Sequence, residues 1–131
     1  MQEKIGFLTR FLGYELKSAE RYRRFVTLVM VASPGSRNGR VKKIVEDTIR
    51  NSDILADFDG AALVLMSETN SSGAITAIER YKAKNANQDD LRFSVVTYPS
   101  DGGGAEGLLA TAFRRLQKAT DSQPGSIVMT G

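Results

Sequence analysis

The sequence predicts an α/β (α+β) domain with a ferredoxin-like βαββαβ core, preceded by a helix and followed by an extra helix and a short strand. Two observations carry this prediction. Apolar residues alternate along the chain between helical spacing and short β-branched runs, and Asp59-Gly60 separates two such runs, as in a tight hairpin. The resulting strand and helix order is that of the ferredoxin-like plan. At 131 residues the chain has the length of one domain, with a leading helix in residues 1–24 and the core in residues 25–131.

The first half of the chain predicts a helix, a buried strand, a second helix and the hairpin. Residues 3–23 repeat apolar side chains at three- and four-residue steps, the spacing of one helix face. Residues 25–32 form a continuous apolar and β-branched run, typical of a strand covered on both faces. Residues 41–49 return to helical spacing, and the hairpin strands follow at residues 53–58 and 61–66.

The second half predicts two more helices and two more strands. Ser71 or Ser72 is expected to cap the first of these helices, since a serine oxygen there accepts from the first free backbone N–H groups. A strand follows at residues 91–98, a helix at 105–119 and a short strand at 126–130. Together with the first half, these elements make up one domain.

Composition excludes several function classes. The chain has no cysteine and no histidine, so it lacks thiolate nucleophiles, disulfides, the usual general base near neutral pH and the commonest metal ligand. No stretch approaches the roughly 20 apolar residues of a membrane span. The net charge of +3 comes from scattered cations, without the aromatic interleaving of a nucleic-acid site. The favoured interpretation is that these cations, Arg114 and Arg115 included, lie on solvated helix faces. We expect a cytoplasmic protein that binds neither nucleic acid nor membrane.

Four passages carry a family resemblance. They are residues 14–24 (YELKSAERYRR), 52–56 (SDILA), 94–102 (SVVTYPSDG) and 108–112 (LLATA). In this order they resemble the leading helix, the segment before the signature hairpin, the Tyr-Pro-x-Asp-Gly passage and the Leu-Leu-x-x-Ala helix start of GGDEF domains, the family of the diguanylate cyclases. The resemblance spans essentially the whole chain. It implies the nucleotide-cyclase fold and a bacterial regulatory domain in cyclic di-GMP signal transduction.

The same resemblance implies that the catalytic residues are missing. In the family, the first strand ends in a metal-binding Asp and the hairpin carries Gly-Gly-Asp/Glu-Glu-Phe, because two divalent ions need hard oxygen ligands. Here Ala32 occupies the strand position, so the metal ligand is lost. The hairpin has a degenerate signature, which consists of Asp59, Gly60, Ala61, Ala62 and Leu63. We therefore expect a degenerate GGDEF-like domain that is not an enzyme and holds neither metal nor cofactor.

A second family site is implied by Arg50 and Asp53. Many members carry an Arg-x-x-Asp motif that ends five residues before the signature and binds cyclic di-GMP as an inhibitor, and this spacing is kept here. An Arg on the following helix completes the family site, and the corresponding position is Arg80. Guanidinium groups suit phosphate and the guanine Hoogsteen edge, and a carboxylate accepts from guanine N–H groups. The alternative is that Arg50 ends a helix, Asp53 solvates a turn and Arg80 is an ordinary exposed residue.

Other functions stay open from the sequence. The leading helix either forms a homodimer seam or packs back on its own domain. The chain could be a protein-interaction or dimerisation scaffold without a nucleotide ligand, or an enzyme whose nucleotide site is rebuilt around residues 33–40 and 57–61. Residues 101–104 precede a helix and could hold an anion, although a flexible turn is favoured.

Overall fold

A computed structural model describes residues 2–34, 40–58, 61–85 and 90–131, and the elements follow the predicted order. The helices are α1 (Gln2–Tyr22), α2 (Arg40–Glu46), α3 (Ser71–Ala83) and α4 (Ala105–Thr120). The strands are β1 (Val26–Ala32), β2 (Ile54–Phe58), β3 (Ala61–Ser67), β4 (Arg92–Tyr98) and β5 (Ile127–Val128). Within these ranges, no helix combines the length and the apolar character needed to cross a membrane.

The strands form one sheet in the order β2-β3-β1-β4-β5. The central strand β1 pairs antiparallel with β3 and β4, and β5 adds to β4 in parallel. In the hairpin, Phe58 pairs with Ala61; Asp59 and Gly60, the predicted turn, lie outside the described residues. The order of the first four strands confirms the predicted ferredoxin-like core.

The sheet has an apolar core on each face. Leu28 and Met30 of β1 belong to the cluster under α1 and α4, whereas Val29 and Val31 belong to the cluster under α2 and α3. Successive side chains of a strand point to opposite faces, so a strand covered by helices on both sides has to be apolar throughout. This explains the unbroken apolar run that predicted β1.

The leading helix packs against its own domain. Leu8, Leu12, Leu16 and Ala19 of α1 are buried in the same cluster as α4, so the helix packs back on its own domain, whereas a homodimer through it stays a prediction. Tyr22 continues the helical spacing of these residues but is 57% exposed, because α1 ends at that residue.

Two helix boundaries differ from the prediction. The cap of α3 is Asn70, whose Oδ1 accepts from the Gly73 N–H at 3.0 Å, so the predicted serine caps are wrong. Asparagine satisfies the free N–H groups of a helix start as well as serine does. The helix α2 ends at Glu46, and turns carry the chain from there to Asp53.

One arginine predicted on a solvated face is buried. Arg115 of α4 is 6% exposed and donates to the Val95 carbonyl at 2.7 Å and to both carboxylate oxygens of Asp101 at 3.1 Å. The same carboxylate accepts from the Thr97 N–H at 2.8 Å. Partial burial acts to raise the pKa of Asp101, but these hydrogen bonds outweigh it and lower the pKa below its ordinary value. Residues 101–104 are therefore anchored through Asp101, and Arg115 ties α4 to β4.

Candidate functional site

The sheet has two ends with different chemistry. At one end β1 finishes and β3 begins, with Ala32 paired to Ala61. At the other end β1 begins and β3 finishes, with Val26 paired to Ser67. The signature positions lie at the first end, and Arg50, Asp53 and Arg80 lie towards the second.

The first end presents methyl groups at the metal positions of the resembled family. Ala32 is 8% exposed and Ala62 is fully buried, and Leu63 is 1% exposed. Residues that face each other across antiparallel strands have Cβ atoms about 4.5–5.5 Å apart, so Ala32 and Ala61, which the resemblance equates with metal-binding positions, lie side by side. No group of three potential His, Cys, Asp or Glu ligands occurs in the part of the chain that is described.

The second end contains a cleft of about 400 Å³, here called the polar cleft, that brings together the three predicted ligand residues. The turns after α2 contribute Arg50 and Asp53 to the cleft, and one face of α3 contributes Arg80. The loop after β3 contributes residues 68–70. Its lining residues are Phe25, Thr48, Arg50, Asp53, Met66, Glu68, Thr69, Asn70, Gly73, Thr76, Ala77, Arg80 and Tyr81. The predicted grouping of the three residues is thus observed, whereas ligand binding stays a prediction.

Asp53 is the buried anion of the polar cleft. Its side chain is only 4% exposed. The carboxylate accepts from the Arg50 N–H at 2.9 Å and from the Arg50 guanidinium at 3.2 Å, and the Asp53 N–H donates to the Arg50 carbonyl at 3.0 Å. These contacts close residues 50–53 into a turn that fixes the carboxylate at the cleft wall.

The Arg50 guanidinium bridges two loops. Besides Asp53, it donates to the Thr69 hydroxyl at 2.7 Å. Thr69 is itself held, because its hydroxyl donates to the Ser67 carbonyl at 3.0 Å and its carbonyl accepts from Thr27 at 2.6 Å. Half of the Arg50 side chain nevertheless remains exposed (51%), so a ligand has access to it.

Arg80 is the second arginine that lines the polar cleft. It is exposed on α3, and no ion pair involves it among the described residues. The two carboxylates of the polar cleft are both compensated, Asp53 by Arg50 and Glu68 by Arg24 at 2.5 Å. Arg80 is therefore the uncompensated positive charge of the cleft.

Tyr81 is a buried polar group in the same cleft. It is 1% exposed, and its hydroxyl is the single buried side-chain polar atom without a hydrogen-bond partner in the described part of the chain. Burial raises the pKa of the hydroxyl above its ordinary value; the nearby Asp53 carboxylate raises it further and Arg50 opposes them. The hydroxyl is consequently a neutral donor near pH 7.

Sequence reasoning missed three residues of the polar cleft: Phe25, Thr69 and Tyr81. The apolar run had assigned Phe25 to the buried strand, and it lies 46% exposed just before β1. Tyr81 lies on the buried face of α3, in line with helical spacing, but that spacing says nothing of its unpaired hydroxyl. Thr69 contacts Arg50 across 19 positions, and no local pattern predicts such a contact.

Comparisons with known proteins bear on the fold. No protein-family model matches the sequence, and no curated protein matches it either. The GGDEF domain of YfiN from Pseudomonas aeruginosa superposes with a TM-score of 0.82 at 16% identity, over 96% of this chain and 88% of that one. The GGDEF domain of FimX from the same organism gives 0.78 at 16% identity, over 94% and 93%. A microbial GGDEF domain, described in its interaction with cyclic di-GMP, gives 0.73 at 11% identity, over 92% and 86%.

These identities are too low to transfer an activity or a ligand, but the superpositions cover nearly the whole chain in each case. The helices and strands of the described residues therefore follow the fold of these domains. The structure therefore confirms the fold that the resemblance implied: this chain folds as a GGDEF domain.

Proposed function

We propose that this protein is a non-catalytic GGDEF-type signalling module that binds cyclic di-GMP in the polar cleft. One observation carries the proposal. The resemblance to the family motif points to Arg50, Asp53 and Arg80, and all three line the same cleft although Arg80 comes from a separate helix. The similarity to a GGDEF domain that interacts with cyclic di-GMP supports it.

The charges of the polar cleft suit an anionic ligand with a guanine base. Arg80 has no carboxylate partner to compete with, so it is the first candidate to contact a phosphate. Arg50 presents a half-exposed guanidinium, which pairs with phosphate or with the acceptor edge of guanine. Asp53 is fixed in place by its turn and offers acceptor oxygens to guanine N–H groups.

The absence of catalysis is proposed from the opposite end of the sheet. Cyclisation of a nucleoside triphosphate needs divalent ions on oxygen ligands, and alanine methyl groups cannot supply them at Ala32 and Ala61. An enzyme that retains activity would need other carboxylates to bind the divalent ions. Asp57, the acidic residue of β2, is the candidate near the hairpin.

A scaffold without a nucleotide ligand is the second candidate. It is favoured by the outer face of α1, where Phe7 is 56% and Tyr14 73% exposed. Large exposed apolar side chains grouped on one face are typical of protein interaction sites. A homodimer or another protein partner would use this face and leave the polar cleft empty.

Calorimetric titration distinguishes these candidates. We expect the wild-type protein to bind cyclic di-GMP, and Arg50→Ala and Arg80→Ala each to weaken binding at least tenfold, since charge-assisted hydrogen bonds contribute about 1.5–3 kcal/mol each. Arg10→Ala is the matched control: it removes an exposed cation from α1 that does not line the cleft. GTP with magnesium is the parallel test for catalysis, with linear dinucleotide and cyclic product measured by chromatography.

Three results would contradict the proposal in different parts. Failure of the wild type to bind cyclic di-GMP would leave the scaffold, to be tested by its oligomeric state. Binding that survives in Arg50→Ala and Arg80→Ala would place the ligand elsewhere. Magnesium-dependent turnover of GTP that is lost on Asp57→Asn would show that the protein is an enzyme.

A further inference from the structure

Phe25 places an aromatic side chain in the lining of the polar cleft. The residue immediately precedes β1, whose seven residues are all buried, yet its own side chain is 46% exposed. No ring–ring or cation–ring contact involves it among the described residues. By contrast, the exposed Phe7 and Tyr22 of α1 each have a ring or guanidinium neighbour. The half-exposed ring of Phe25 is thus a stacking surface without an aromatic or cationic neighbour in the described part of the chain.

Tyr81 provides a second, independent indication of a ligand. Buried polar groups in folded proteins are nearly always hydrogen-bonded, and an exception calls for a physical reason. Here the exception lies in the lining of the polar cleft, beside the residues that suit a nucleotide. A donor without a partner in the free protein is available to an acceptor that arrives with the ligand.

We propose that Phe25 and Tyr81 form the base subsite of the polar cleft: a purine stacks on the Phe25 ring and accepts a hydrogen bond from the Tyr81 hydroxyl. Guanine offers suitable acceptors at O6 and N7. This assignment rests on the proposed function, to which it adds the residues that hold the base; Arg80 and Arg50 then hold phosphate.

The hydroxyl and the ring act at different depths. Phe25 lies at the rim, where the ring is accessible before binding. The Tyr81 hydroxyl has almost no contact with solvent, so the ligand has to displace a neighbouring side chain to reach it.

The test is titration of cyclic di-GMP into the wild type and three variants. Stacking of a base on an aromatic ring is worth about 1–3 kcal/mol, so Phe25→Ala should weaken binding about 5- to 150-fold. Phe25→Leu keeps apolar bulk without a π face and should lose most of the same affinity. Tyr81→Phe removes one hydrogen bond and should weaken binding about 2- to 12-fold. Phe7→Ala is the matched control, since it removes an exposed aromatic ring outside the cleft.

A thermal unfolding scan without ligand separates binding from folding. Tyr81→Phe should unfold at the same or a higher temperature than the wild type, because it removes an unpaired buried group, while its affinity falls. Wild-type affinity in both Phe25→Ala and Tyr81→Phe, with binding lost in Arg50→Ala, would overturn the base subsite and leave the proposed function intact. A wild type that does not bind would instead overturn the proposed function and the subsite together. A lower unfolding temperature of Tyr81→Phe would show that its hydroxyl already has a partner in the free protein, and would also overturn the assignment.

Discussion

The Tyr81 hydroxyl makes an unusual stability prediction: removing it should stabilise the unliganded protein. Leaving a buried hydroxyl without a partner costs about 1–3 kcal/mol of desolvation. Tyr81→Phe removes this cost and leaves a void of roughly one oxygen atom. At about 24 cal/mol per Å³, this void lowers the free energy of unfolding by a few tenths of a kcal/mol. The expected gain in the free energy of unfolding is about 1–2 kcal/mol. For a chain of 131 residues, each kcal/mol raises the midpoint by about 4 °C.

The assay is urea unfolding at pH 7 without nucleotide, followed by circular dichroism, with the slope m compared between proteins. Tyr14→Phe is the control, because Tyr14 is 73% exposed and its hydroxyl is free to bond to water; it should change the stability by less than about 0.5 kcal/mol. A loss of stability in Tyr81→Phe at unchanged m would refute the reasoning, since it would require a hydrogen bond to that hydroxyl in the free state.

The remaining predictions concern pH and two structural contacts. The pKa of Tyr81 in the folded state is raised above the ordinary 10.0, so the folded state holds this proton more tightly than the unfolded state does. The associated stability is present below about pH 10 and is lost as the pH rises further. Unfolding curves at alkaline pH should therefore show a smaller loss of the free energy of unfolding in Tyr81→Phe than in the wild type. Arg115→Ala should lower the free energy of unfolding by about 2–4 kcal/mol, because it strips the buried Val95 carbonyl of a donor and Asp101 of its ion pair; urea unfolding measures this, and a loss below about 1 kcal/mol would contradict it. Asn70→Ala should cost about 0.5–2 kcal/mol through the lost cap of α3, with Asn70→Ser restoring most of it in the same assay.

The sheet and the helices that cover it could be predicted because their signals are local. The residues of β1 are apolar throughout since helices cover both faces, and the register of Phe58 with Ala61 fits the two-residue spacing of the hairpin. The grouping of Arg50, Asp53 and Arg80 was also predictable, but only from the spacing of a resembled motif. Periodicity by itself would have left Arg80 as one more exposed helix residue.

The parts that could not be predicted depend on contacts between distant segments. The partners of Arg115 lie 14 and 20 positions away in the chain, so a charged residue on an amphipathic helix was assigned to the surface. Thr69 contacts Arg50 in the same non-local way. The unpaired hydroxyl of Tyr81 is harder still to predict, because it depends on the absence of an acceptor or donor among the described residues around it. A helical pattern indicates only which face of the helix is buried.

The two ends of the sheet keep the two parts of the proposed function apart. Ala32 and Val26 are the last and first residues of β1, and six steps of about 3.3 Å separate them by roughly 20 Å. Substitutions that far apart, with no shared partner, affect a protein almost independently. On the proposed function, alanine in place of carboxylates at the hairpin end would remove metal ligands without disturbing the Arg50–Asp53 turn or the position of Arg80. Because alanine also fits the apolar core at Ala32 and Ala62, the fold that presents the polar cleft gains burial from the very positions where catalysis would need charge.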